Sequence, residues 1–112
     1  MVSQAIKKYY RSSPKKVGVV LALIRGEGVE NAFSVLSSVR KRSAPDIAKI
    51  LKSAVANAAE KGHSETETLY IKEAYASKGP TLKRIRARAM GRATPRKRRM
   101  SHITIVLEER GL

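Results

Sequence analysis

The sequence predicts an α+β fold: three helices packed on a small three-stranded antiparallel sheet, with a long protruding basic β-hairpin. Three observations carry that expectation. Between Ser13 and Gly62, apolar residues recur three times at the i, i+3, i+4 spacing of a helix face. Segments before and after that region have strand composition instead, and the last of them alternates Ile103, Ile105 and Leu107 with His102, Thr104 and Glu108. Finally, Lys78 to His102 combines dense positive charge with a period of two, the repeat of an extended chain.

Taken in order, Val2 to Arg11 places Ala5, Ile6, Tyr9 and Tyr10 among lysines without Gly or Pro, which predicts a short strand. Ser13-Pro14 reads as an N-cap followed by proline at the first helical position, where its missing N–H costs nothing. Val17, Val20, Leu21 and Ile24 form the stripe of this first helix, and Gly26 ends it. A second, shorter helix after Gly28 uses Val29, Ala32, Phe33 and Leu36. Ser43-Ala44-Pro45-Asp46 predicts the third start: a capping serine, proline in the first turn and an acid three residues on. Ile47, Leu51, Ala54, Val55 and Ala58 then make a stripe closed by Lys61-Gly62, and its alanines suit close packing in a central helix. His63 to Glu67 is expected to be polar loop, and Leu69 to Ala76 strand.

Lys78 to His102 holds ten of the chain's 24 Lys and Arg residues, and no acid lies between Glu73 and Glu108. Arg84, Arg86 and Arg88 fall on one face of the expected strand, with Ile85, Ala87 and Ala89 on the other. Gly91 and Thr94-Pro95 supply turn chemistry before a second basic run, Arg96 to Arg99. Two strands of ten or so residues span about 30 Å, whereas the remaining ~85 residues would have a radius of gyration of about 12 Å. Such a hairpin must project. A lone two-stranded ribbon is marginal in water, so its outer half is expected to order on a polyanion. The expectation is one domain over residues 1–112, with 80–101 as its arm.

Composition narrows function. A net charge of +15 on 112 residues exceeds what solubility requires and points to a polyanion, nucleic acid before a membrane surface. The arm lacks the apolar face that membrane insertion needs, and no signal peptide or membrane span is expected. With no cysteine there are no disulfides, zinc knuckles or thiol chemistry, in keeping with a cytoplasmic protein. The single aspartate, Asp46, is explained as a helix-start residue, and the histidines lie far apart at 63 and 102. Ser101 and His102 point to opposite faces of a strand, and Gly26-Glu27-Gly28 lacks the rest of a phosphate loop. No enzyme, cofactor or metal is expected. Few aromatics and no tryptophan argue against recognition by base stacking and for backbone and shape readout.

Most basic runs are solvated surface, and Lys7-Lys8 and Lys49 are read that way. Cations facing one another across a ribbon are different, because they repel unless phosphates lie between and around them. Arginine's planar fork binds phosphate bidentately. The expected RNA contacts are therefore Lys78, Lys83, Arg84, Arg86, Arg88, Arg92, Arg96, Lys97, Arg98 and Arg99, with His102 at the arm's base. Arg11, and Lys15 and Lys16 in a helix turn where the dipole disfavours cations, join them. The alternative is a free-standing regulatory protein binding DNA or RNA, although no helix here carries the Asn, Gln and Arg face of a base reader.

EAYASKGPTLKRIRARAMGRATPRKRRMSHITIVL resembles the C-terminal half of the bacterial large-subunit ribosomal protein family L-twenty-two. SSPKKVGVVLALIRGEGVENAF and APDIAKILKSAVANAAEKG resemble that family's first and third helices in order and spacing, so the likeness spans essentially the whole chain. The combination of GPTLKR, RAMGRA and SHITIV is specific. The resemblance implies a structural protein of the large ribosomal subunit that binds large-subunit (23S-type) ribosomal RNA, supports assembly and neighbours other subunit proteins. It implies a hairpin running through that RNA, with the tip Arg88, Ala89, Met90, Gly91, Arg92 and Ala93 lining the peptide exit tunnel and meeting the nascent peptide. This chain departs from commoner relatives at Gly18, where alanine is more usual, and at Met90, often a basic residue.

Overall fold

Two antiparallel strands run on from a three-stranded sheet, and the three helices cover one face of that sheet. The computed structural model describes residues 2–63, 66–87 and 93–109; for 66, 80–87 and 93–99 it describes the backbone alone. The order is β1 (Ser3–Tyr10), α1 (Pro14–Ile24), α2 (Val29–Ser38), α3 (Ala44–Glu60), a 3₁₀ turn (Thr66–Thr68), β2 (Leu69–Ala87) and β3 (Ala93–Glu109). The sheet order is β1-β3-β2, so the last strand is central and both its neighbours are antiparallel to it.

Local signals account for the helices. Ser13 is extended and its hydroxyl accepts the Lys16 N–H at 3.3 Å, so α1 starts as its Ser-Pro sequence predicts. Val17, Val20, Leu21 and Ile24 are all fully buried, and Gly26 adopts φ +77°, a left-handed conformation that glycine accepts at no steric cost. The start of α3 differs from expectation. Ser43 already has helical dihedrals and makes no side-chain cap, because a turn closed by the Ala44 N–H on the Lys41 carbonyl winds the backbone before the helix begins. Gly62, at φ +87°, ends α3 as expected. Ile50, outside the predicted stripe, is buried with it. Part of the loop expected over His63 to Glu67 is the 3₁₀ turn; Ser64 and Glu65 lie outside the described residues.

The core sits between the helices and the sheet face bearing Ala5, Ile71, Ala74, Ile103, Ile105 and Leu107. Burying each large aliphatic side chain stabilises by about 1.5–3 kcal/mol. Polar contacts fix α3 along β1: Ser3 Oγ donates to the Ala54 carbonyl at 2.8 Å, and Asn57 Nδ2 to the Gln4 carbonyl at 2.9 Å. The loop after α1 covers the outer edge of β2, with Gly26 N–H donating to Ile71 O at 2.8 Å and Ile71 N–H to Glu27 O at 2.9 Å. Arg25 Nε adds a bond to Ala74 O at 2.6 Å. An edge strand that would otherwise template aggregation is thereby partly closed.

Pairing of β1 with β3 stops at Tyr10 opposite Ser101, whereas β2 and β3 stay paired from there out to Ala87 opposite Ala93. The register shifts between Lys78 and Thr81, where Gly79-Pro80 introduce a bulge. There the strands come so close that a Cβ on Gly79 would lie 3.0 Å from the Met100 carbonyl oxygen. The predicted Leu69–Ala76 strand and the arm are thus one strand, bulged where the sheet gives way to the ribbon. The radius of gyration, 17.2 Å, exceeds the roughly 13 Å of a compact chain of this length. The longest dimension is 67 Å.

Candidate nucleic-acid interface

Some basic residues of the arm occupy opposite positions across the ribbon. Thr81 stands opposite Arg99, Leu82 opposite Arg98, Lys83 opposite Lys97, Arg84 opposite Arg96, Ile85 opposite Pro95 and Arg86 opposite Thr94. At two successive rungs a cationic residue therefore faces a cationic residue. Like charges directly opposite destabilise a sheet, and no acidic residue between Glu73 and Glu108 relieves them. The arrangement is held by backbone pairing and suits a ligand of opposite charge along its length.

The other predicted contacts fall around the arm's root. Lys78, exposed, pairs with Ser101 on the last three-stranded rung, opposite Tyr10. Arg11 follows β1 directly and is exposed, as are Lys15 and Lys16 in the first turn of α1. Ser101 Oγ donates to the Ser12 carbonyl at 2.5 Å, which fastens the β1–α1 connection to the base of β3. Arg11, Lys15 and Lys16 are brought to the root of the ribbon by that link. Arg88 and Arg92, with the tip residues Ala89, Met90 and Gly91, lie outside the described residues; Ala93, the last tip residue, is the first of β3.

His102 is more constrained than sequence reasoning expected. Its Nδ1 accepts the Tyr9 backbone N–H at 3.1 Å, and its ring meets the Tyr9 ring edge-on with centroids 5.1 Å apart. An Nδ1 that accepts must be unprotonated, so the neutral imidazole carries its proton on Nε2. Tyr9 has φ +58°, the one left-handed non-glycine residue among those described, and sits in a break of the β1–β3 register. Nothing in the sequence signals this pairing of residues 93 positions apart.

Tyr10, the neighbour of Tyr9, donates its hydroxyl to Asp46 Oδ2 at 2.5 Å. Burial, then that hydrogen bond and the carboxylate's charge, push the Tyr10 phenol up to about 12. Asp46 thus joins α3 to β1 as well as standing in the helix's first turn. Among the described residues no three His, Asp or Glu lie together so as to hold a metal ion, and no helix is long and apolar enough to cross a membrane.

A structural core with a cation-paired ribbon agrees with the comparisons to known proteins. Residues 5–108 match the model of the family described as ribosomal protein L22p/L17e. The chain belongs to that family. It is 51% identical over 110 residues to the large ribosomal subunit protein uL22 of Clostridium novyi, covering 98% of this chain and 99% of the relative. The corresponding protein of Clostridium acetobutylicum is also 51% identical, with the same coverage. That of Syntrophus aciditrophicus is 46% identical, covering 98% of this chain and all of the relative. Family membership spans the sheet, the helices and both strands of the ribbon.

Proposed function

We propose that this protein is a structural constituent of the large ribosomal subunit, acting in the cytoplasm, that binds large-subunit ribosomal RNA through its ribbon and supports subunit assembly. It has no enzymatic role. The observation that carries this reading is the register that sets Lys83 against Lys97 and Arg84 against Arg96. Phosphates between and around such rungs turn repulsion into attraction, and each bound phosphate releases condensed counterions. Lys83, Arg84, Arg86, Arg88, Arg92, Arg96, Lys97, Arg98 and Arg99 serve as RNA contacts along the ribbon, and Arg11, Lys15, Lys16, Lys78 and His102 at its root. Neighbouring subunit proteins are further partners. The tip, Arg88 to Ala93, lines the peptide exit tunnel and touches the nascent peptide. That assignment is supported by the resemblance of this chain's RAMGRA, residues 88–93, to the family's tip, from which Met90 departs.

Sedimentation tests the reading. In a lysate fractionated on a sucrose gradient, the chain is expected to run with large subunits and to stay with them through a high-salt wash. A chain left at the top of the gradient would favour the free-standing regulatory alternative.

A further inference from the structure

The uncovered face of the sheet carries a group of side chains that phosphate binding does not use. Across the three strands Ile6 stands opposite Thr104, and Thr104 opposite Tyr75; one step toward the arm, His102 stands opposite Ser77 and meets Tyr9. Residues directly opposite in a sheet share a face, and Ser101, Ile103 and Ile105 occupy the other one, against the helices. Tyr9 is 59% exposed, Ile6 49% and Tyr75 45%. Thr104 is nonetheless buried, because the side chains beside it on both outer strands shield it. The outer strands stand about 10 Å apart with β3 between them. Two of the chain's four tyrosines therefore flank an imidazole on an open antiparallel sheet.

Two further features indicate what lies there. Positive charge gathers toward the arm: at the far end Glu108 is paired with Lys72 Nζ at 3.8 Å, while Lys78 and the basic ribbon continue from the other. Tyr9 also adopts a left-handed conformation in which its N–H is bonded to His102 Nδ1. What the bond achieves is to fix the Tyr9 ring against His102 at the side of the sheet nearest the ribbon.

We propose that this face receives unstacked bases of the RNA whose phosphates the ribbon holds, with the Tyr9, His102 and Tyr75 rings as stacking surfaces. The proposal rests on the RNA-binding reading and deepens it: the arm grips backbone, and the sheet takes bases. Tyrosine and histidine offer π faces to any base, and the neutral His102 adds an Nε2–H donor. Sequence reasoning set stacking aside because aromatics are few; the fold gathers the few it has.

The test uses the full-length chain with two probes, a short oligoadenylate and an abasic ribose-phosphate oligomer of the same length. Wild-type protein is expected to bind the oligoadenylate about tenfold tighter or more, with quenching of tyrosine fluorescence. Tyr9→Gly, which suits the left-handed backbone, combined with Tyr75→Ala should abolish that preference and leave abasic binding unchanged. Tyr75→Leu keeps apolar area without a ring and should also reduce the preference. Equal wild-type affinities, or a Tyr75→Leu protein with full preference, would overturn the proposal while leaving RNA binding by the arm intact. Failure of either oligomer to bind would count against the RNA-binding reading itself. Protection of Tyr9 and Tyr75 by other subunit proteins, but not by ribosomal RNA, would give the face to a protein contact and also overturn it.

Discussion

Tyr10 donates its hydroxyl to Asp46 Oδ2 at 2.5 Å, joining the last residue of β1 to the first turn of α3. Because the folded state favours the neutral phenol, with its pKa pushed from 10.0 to about 12, the linkage has a definite sign. The contribution is full below about pH 10 and is lost as pH rises through about 12. Tyr10→Phe is expected to destabilise by about 1.5–3 kcal/mol at neutral pH, the range for a hydrogen bond to a charged group. It should also remove a tyrosinate absorbance that appears late, as pH rises through about 12. A mutant that melts like the wild type and keeps that late titration would contradict the pairing.

Two glycines should respond to alanine with opposite signs. At Gly18, inside α1, an added Cβ meets nothing within 4 Å, so Gly18→Ala should stabilise by about 1 kcal/mol through helix propensity alone. At Gly79 the same methyl group would crowd Met100 O at 3.0 Å, and Gly79→Ala should destabilise by about 1–3 kcal/mol as the strands part. Denaturant melts of both variants check the contrast. Effects of the same sign would contradict the strand spacing at the bulge.

Among the described side chains, the core consists of Val2 and residues of the helices, β1 and the inner parts of β2 and β3. Replacing Leu82 to Arg99 with a short turn should therefore leave a cooperatively unfolding protein. Differential scanning calorimetry decides this, and loss of the transition would mean that the arm contributes to the core.

The helices and the sheet were legible because their signals are local. The stripe Val17, Val20, Leu21 and Ile24 and the alternation Ile103, Ile105 and Leu107 each encode a buried face within a few residues. The Ser43 cap failed for a reason equally local but invisible to pattern: the preceding turn had already set its dihedrals. The basic content of the ribbon could be counted in advance, whereas its register, with Lys83 against Lys97, depends on a bulge whose pairing the Gly79-Pro80 sequence alone does not fix. Long-range pairs such as Tyr9 with His102 and Tyr10 with Asp46 left no periodic trace, because each joins elements distant in sequence through one contact. The open face was missed for the same cause: Ile6, Tyr9 and Tyr75 become one surface only when β3 inserts between β1 and β2.

Binding of the chain to a large-subunit ribosomal RNA fragment should weaken steeply with salt. Each phosphate neutralised contributes a slope of about −0.7 to −0.9 in log affinity against log salt, and the paired rungs supply several such contacts. Titrations at a series of salt concentrations measure the slope. A flat response would remove the electrostatic basis of the ribbon's role.

Charge reversal within the ribbon probes the attachment to ribosomal RNA itself. Cells would carry, as the only copy, a chain with Arg84→Glu, Arg86→Glu and Arg88→Glu, and the content of this protein in purified large subunits would be measured. Opposing phosphate at each position should cost several kcal/mol per site, so the variant is predicted to be absent from subunits, while a variant shortened only at the tip is incorporated. Normal incorporation of the glutamate variant would contradict an account in which the ribbon's cations fasten this protein to ribosomal RNA.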